Sequence, residues 1–141
     1  MLVLGVLFWG VIPVSIQHYR PLGVVDSVER FQYSQAVRVG DLLFVSGQAG
    51  WDANGKVPES YEDECTLAFE NLRVVLAAAG CVFEHVVDAT SLHTPGTDMR
   101  TFWRIRNDFF DAPWPAWTSI GDIGLVLPAM HVEVKVTAVI P

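Results

Sequence analysis

The side chain in this sequence best suited to moving a proton is Glu133. It interrupts the alternating valines of MHVEVKVTAVI. A carboxylate held among apolar groups has its charged form disfavoured, which lifts its pKa toward the range of a useful general base. The same spacing also allows Glu133 to face solvent beside Lys135, so periodicity alone leaves both readings open. Other reactive residue types form no constellation. Cys65 and Cys81 have no base at a suggestive spacing and read as small core residues. His18, His85, His93 and His131 show neither C-x-x-C nor H-E-x-x-H spacing, so no metal site is expected. His93 and His131 fall on strand patterns, where a hydrogen-bonded structural histidine is the default. Arg100, Arg104 or Arg106 could supply a cation to a site from one helix, and their spacing fits a solvated helix face better.

These residues must be positioned by short, clearly punctuated elements. AVRVGDLLFVSG predicts two strands around Gly40-Asp41, followed by a turn at Asn54-Gly55. Ser46-Gly47-Gln48 also fits a bulge, because glycine inside a strand commonly marks one. Ser60 with Asp63 resembles a capping box that opens a helix. Its buried face is Cys65, Ala68, Phe69, Leu72, Val75, Leu76 and Ala79, and Gly80 ends it. Val86 to His93 reads as a strand closed by Pro95-Gly96. A second helix starts near Thr97 or Asp98 and places Met99, Phe102, Trp103, Arg106, Phe109 and Phe110 at helical spacing; the prolines of DAPWP stop it. Strands follow near Trp117–Ile120 and over Val132–Ile140. This order predicts an α+β fold of two layers, with the helices on one face of the sheet.

The chain has 141 residues, within the size of one domain. Its apolar share, 51% without glycine, exceeds what a soluble domain usually carries and points to a covered subunit surface. A formal net charge of −7 argues against a nucleic-acid partner, because phosphate backbones are held by clustered Lys and Arg. Two cysteines do not make a disulfide framework, and both are expected reduced in the cytoplasm. The opening MLVLGVLFWGVIPVSI has no basic residue before it, is interrupted by Pro13, and is shorter than the roughly 20 residues of a membrane span. A strand, or an arm lying on a neighbouring subunit, is expected over a targeting segment, and membrane association is not expected.

Tyr33-Ser34-Gln35-Ala36-Val37 followed by Phe44-Val45-Ser46-Gly47-Gln48 resembles the Rid family, also called YjgF-like, of reactive-intermediate deaminases. The helix ending AAAG, the strand VVDATSLH, the FFD–P–PA stretch and a last strand with an acid amid valines match in order. On this reading residues 31–141 form the Rid-like domain, and residues 1–30 an apolar extension whose role is undefined. The resemblance implies a chorismate-mutase-like fold with a mostly antiparallel sheet and two helices on one face. It also implies a homotrimer with ligand clefts between subunits.

Catalytic members of that family hydrolyse enamines and imines to 2-oxo acids and ammonia without a cofactor. The resemblance assigns Glu133 to the acid that binds the water, and Tyr33 and Ser46 to the pocket. It also marks departures. The Pro-Ala-Arg-Ser stretch that anchors a substrate carboxylate reads Pro115-Ala116-Trp117-Thr118-Ser119, so an indole replaces a guanidinium. A pocket asparagine is replaced by Trp103, and a cysteine by Ser119. The implied function is an imine or enamine hydrolase acting on a small molecule, its pocket altered toward uncharged or aromatic substrates. The alternative is a trimer that binds a small metabolite and catalyses nothing. Trp103 and Trp117 read equally well as pocket walls or as packing at the trimer contact.

Overall fold

The computed structural model describes residues 13–141, so the expectation for the first twelve residues lies outside the described residues. The strands are β1 (Ile16–Tyr19), β2 (Ala36–Val39), β3 (Leu42–Ala49), β4 (Val86–His93), β5 (Ala116–Ile120) and β6 (Val132–Val139). The helices are α1 (Ser27–Phe31), α2 (Tyr61–Ala78) and α3 (Met99–Arg106), with a 3-10 turn at Phe83–His85. All six strands join one sheet in the order β1-β2-β3-β6-β4-β5. Neighbours are antiparallel except β4 and β5, which are parallel. Parallel neighbours need a crossover connection, and α3 supplies it.

The period-two pattern of β6 sets the layering. Val132, Val134, Val136 and Ala138 are buried, and share the core with Leu43 and Val45 of β3 and Phe69, Leu72, Val75 and Leu76 of α2. Each Val, Leu or Phe side chain among them, fully buried, contributes roughly 1.5–3 kcal/mol. The α2 start follows its sequence signal, with the Ser60 hydroxyl accepting from the Asp63 N–H at 3.3 Å. Its end does too, because Gly80 takes φ 73°, a conformation disfavoured for residues with a β-carbon. The opposite face carries Leu42, Phe44, Lys135 and Val139, all exposed in the single chain.

Three readings from sequence need correction. Residues 16–30, read as part of the extension, join the sheet and core: β1 pairs along β2, and Val24 and Val25 are buried beside α1. The α-helices number three among the described residues, not two, while the sheet is mostly antiparallel as expected, with β4 and β5 its one parallel pair among them. Helix α3 stops at Arg106, so Phe109 and Phe110 sit in the turn beyond it. Among the described residues, no helix is long and apolar enough to cross a membrane.

Candidate active site

The pairing of β3 with β6 slips between Val45 and Gln48, leaving Ser46 and Gly47 in a bulge. Bulges re-aim side chains, and this one opens room over Glu133. An added β-carbon on Gly47 would overlap Oε1 of Glu133, so glycine is required for the carboxylate to lie where it does. The Ser46 hydroxyl donates to the Ser34 carbonyl at 2.7 Å, which spends its proton and leaves its lone pairs for a ligand.

Tyr33 is brought over the same place by α1. The buried Ser27 hydroxyl donates to the Tyr33 carbonyl at 2.7 Å, and Gln32 turns the chain at φ 57°. Tyr33, Ser46 and Glu133 then line one cavity of about 390 Å³ with Phe31, Gly47, Ala49, Trp51, Val126 and Met130.

Three further buried polar residues fix the backbone around this cavity, and of these only Gln48 belongs to a motif singled out in the sequence. Glu64 of α2 accepts from the N–H groups of His131 (2.6 Å) and Val132 (3.2 Å), with His131 Nδ1 at 2.8 Å, which pins the strand just before Glu133. Asn71 donates to the carbonyls of Ala49 (2.9 Å) and Trp51 (2.8 Å). Gln48 donates to Gln35 Oε1 at 2.8 Å and to the Ser46 carbonyl at 3.0 Å, locking the bulge to the Tyr33 segment. A buried polar group without a partner is costly, so each of these bonds specifies one arrangement.

Burial raises the Glu133 carboxyl above its ordinary range. Among the described residues its carboxylate accepts no hydrogen bond and joins no ion pair, and no Lys, Arg or His lines the cavity. Burial, and then the charge of Glu133, raise the Tyr33 phenol, which therefore stays protonated and able to donate near neutrality. The arrangement can accept a proton from water at Glu133 and donate a hydrogen bond from Tyr33. Burial pushes the Cys65 thiol up to about 12, which removes it as a thiolate nucleophile.

Trp117, Ser119 and Trp103 are not part of this cavity in a single chain. Trp117 and Ser119 register with Ala89 and Ser91 of β4, which register in turn with the inward Val136 and Val134. They therefore lie on the helix face, whereas Glu133 registers with Leu92 on the other face. Trp117 Nε1 donates to Ser91 Oγ at 3.0 Å, and that oxygen lies 3.0 Å from Ser119 Oγ and 2.9 Å from His93 Nε2. The indole meets Phe110 edge-on at 5.5 Å and carries the Arg106 guanidinium at 5.3 Å. Trp103 is 46% exposed on α3.

Residues 27–140 match the family described as Endoribonuclease L-PSP. The chain belongs to this family. It is 41% identical over 123 residues to the RutC family protein YjgH of Escherichia coli K12, covering 86% of this chain and 92% of that one. It is 35% identical over 109 residues to a 2-iminobutanoate/2-iminopropanoate deaminase of Mus musculus, covering 76% and 80%. The solved structure of protein YjgH superposes with a TM-score of 0.81 at 38% identity, over 89% of this chain and 96% of that one. The yeast protein YEO7, at 21% identity and a TM-score of 0.83, shows the same fold. These relatives carry the Rid and YjgF-like resemblance read from the sequence.

Sequence reasoning did not single out Phe31, Trp51, Val126 and Met130, which join the site from four separate stretches. Phe31 and Trp51 follow no period that would have marked them.

Proposed function

We propose that this protein hydrolyses imines or enamines of small metabolites to a carbonyl compound and ammonia. The observation that carries the reading is the desolvated Glu133 carboxylate, unpaired among the described residues, facing Tyr33 and Ser46 in one cavity. Relatives named 2-iminobutanoate/2-iminopropanoate deaminase support it. In the reaction Glu133 takes a proton from water as the oxygen bonds to the imine carbon and passes it to the imine nitrogen, giving a carbinolamine. Glu133 then takes the O–H proton and passes it to the amino nitrogen as the C–N bond breaks, which leaves the carbonyl compound and ammonia. For an enamine, a proton first adds to the β-carbon to form the imine. Tyr33 and Ser46 hold the polar atoms of the substrate.

The working unit of this proposal is a homotrimer of the chorismate-mutase-like type, acting in the cytoplasm. The exposed Phe44, Ile120 and Val139 support a covered sheet face. In its clefts the β5 edge of one copy would set Trp103, Trp117 and Ser119 opposite Tyr33, Ser46 and Glu133 of the next. Among the described residues no cation lines the Glu133 cavity, and Arg106 beside Trp117 is held by the indole face and by Asn107 Oδ1. The cleft therefore favours uncharged or aromatic substrates over small charged imines.

An assay with imines generated from an amino-acid panel by an amino-acid oxidase, with semicarbazide trapping what remains, tests the reading. Loss of trappable imine caused by the native protein and abolished by Glu133→Gln supports it. The second reading, a metabolite-binding trimer without catalysis, draws on the absence of a carboxylate-binding cation among the residues lining the cavity. It predicts ligand-dependent thermal stabilisation with no turnover of any imine. The endoribonuclease in the family description is not carried over, because a chain of net charge −7 offers phosphate little. Salt-sensitive RNA binding would overturn that exclusion.

A further inference from the structure

We infer that Phe31 and Trp51, with Tyr33, form the side-chain subsite of this cavity and select flat apolar groups. Its use in catalysis rests on the imine-hydrolase reading, but binding at the subsite does not. The three rings form a nearly parallel run with Phe31 in the middle. Phe31 and Trp51 have centroids 5.8 Å apart at 9°, and Phe31 and Tyr33 have centroids 6.3 Å apart at 18°. All three border the cavity, with Ala49, Val126 and Met130 as further apolar lining. Phe31 is 44% exposed and Val126 83%, so apolar surface is left open to water inside a concavity. Such surface in a concave site is where apolar ligand groups are taken up.

The run is built before any ligand arrives. Asn71 holds the Trp51 carbonyl, Ser27 holds the Tyr33 carbonyl, and Arg30 donates to the Asn54 carbonyl at 3.1 Å, tying α1 to the loop after Trp51. A ring packing against this preformed surface orders few groups, so little of its packing gain is lost to ordering. The same cavity disfavours acidic side chains, because Glu133 is its one charged lining residue among the described residues. The chemical class is therefore a 2-imino or 2-oxo compound bearing an aromatic, uncharged side chain.

The test is calorimetric titration of the full chain with methyl phenylpyruvate, methyl pyruvate and 2-oxoglutarate. Methyl phenylpyruvate should bind at least about tenfold more tightly than methyl pyruvate, a stacking-sized difference, and 2-oxoglutarate weakest of the three. Trp51→Ala and Phe31→Ala should each remove most of that preference, and Trp51→Leu and Phe31→Leu serve where an alanine variant loses its native circular dichroism. Equal binding of the two esters, or an unchanged preference in folded Trp51 and Phe31 variants, overturns the inference. None of these ligands is an imine. Selective binding beside an absence of imine turnover therefore supports the subsite and removes only the reaction; turnover without selectivity does the reverse.

Discussion

Gly47 of β3 and Glu133 of β6 share one space: a β-carbon on the first would overlap the carboxylate oxygen of the second. Gly47→Ala should therefore push the Glu133 side chain out of its position while the sheet pairing survives. The overlapping atoms end a flexible side chain, so the stability loss should stay near about 1 kcal/mol. Imine turnover should fall at least about tenfold, as expected when a proton-transfer group is displaced. Urea denaturation and the trapping assay on the same preparation measure both.

The Glu133 carboxyl is raised above its ordinary 4.5 by burial, and two pH effects follow. The folded state holds this proton more readily than the unfolded chain. The stability the group contributes is thus present below pH 4.5 and lost as pH rises through the folded pKa. Glu133→Gln, which cannot ionise, should melt above the native protein at pH 7 and lose that advantage at pH 4. Activity has the opposite sense, since the base must be ionised, and should decline as pH falls through the same raised pKa. Melting curves and a pH–rate profile should share that transition.

Glu64 anchors the approach to Glu133 by accepting from two backbone N–H groups of the segment at the start of β6. Glu64→Ala strands both donors and should cost about 3 kcal/mol in chemical denaturation. Glu64→Gln keeps one acceptor oxygen and should cost about 1 kcal/mol. A loss in the alanine variant no greater than in the glutamine variant would show that these bonds do not fix the strand.

Trp117 packs under α3 within its own chain, so replacing it disturbs structure first. Trp117→Phe keeps the ring against Phe102 and Phe110 and loses the bond to Ser91, for about 1 kcal/mol. Trp117→Arg sets a second guanidinium beside Arg106 and removes the indole's contacts with Phe102 and Phe110, for about 3 kcal/mol. Thermal melts of the two variants separate these outcomes.

The parts of this fold legible in the sequence are those whose periodicity runs over a whole element. The alternating valines of β6 and the spacing from Cys65 to Leu76 in α2 fix one face each, and Gly80 marks an end. Helix α1 is only five residues long and has no period to detect. Strand β1 shares only Ile16 with the apolar opening, and Gln17-His18-Tyr19 carry no strand pattern, although Ile16–Tyr19 pairs along β2. Tyr33, Ser46 and Glu133 were legible as a set only through their family context. Phe31 and Trp51 meet them through a left-handed turn at Gln32 and the loop after β3, geometry that no local pattern encodes. The direction of Trp117 depends on the parallel register of β5 against β4, which spacing does not reveal.

The most direct test of the central claim is the rate of ammonia release from a freshly generated aromatic imine, followed with no protein, native protein and Glu133→Gln under identical conditions. Release accelerated by the native chain and returned to the spontaneous rate by Glu133→Gln, with the variant's fold intact, is the predicted result. Equal acceleration by native and variant proteins, or none by either, would contradict Glu133 as the base of an imine hydrolase.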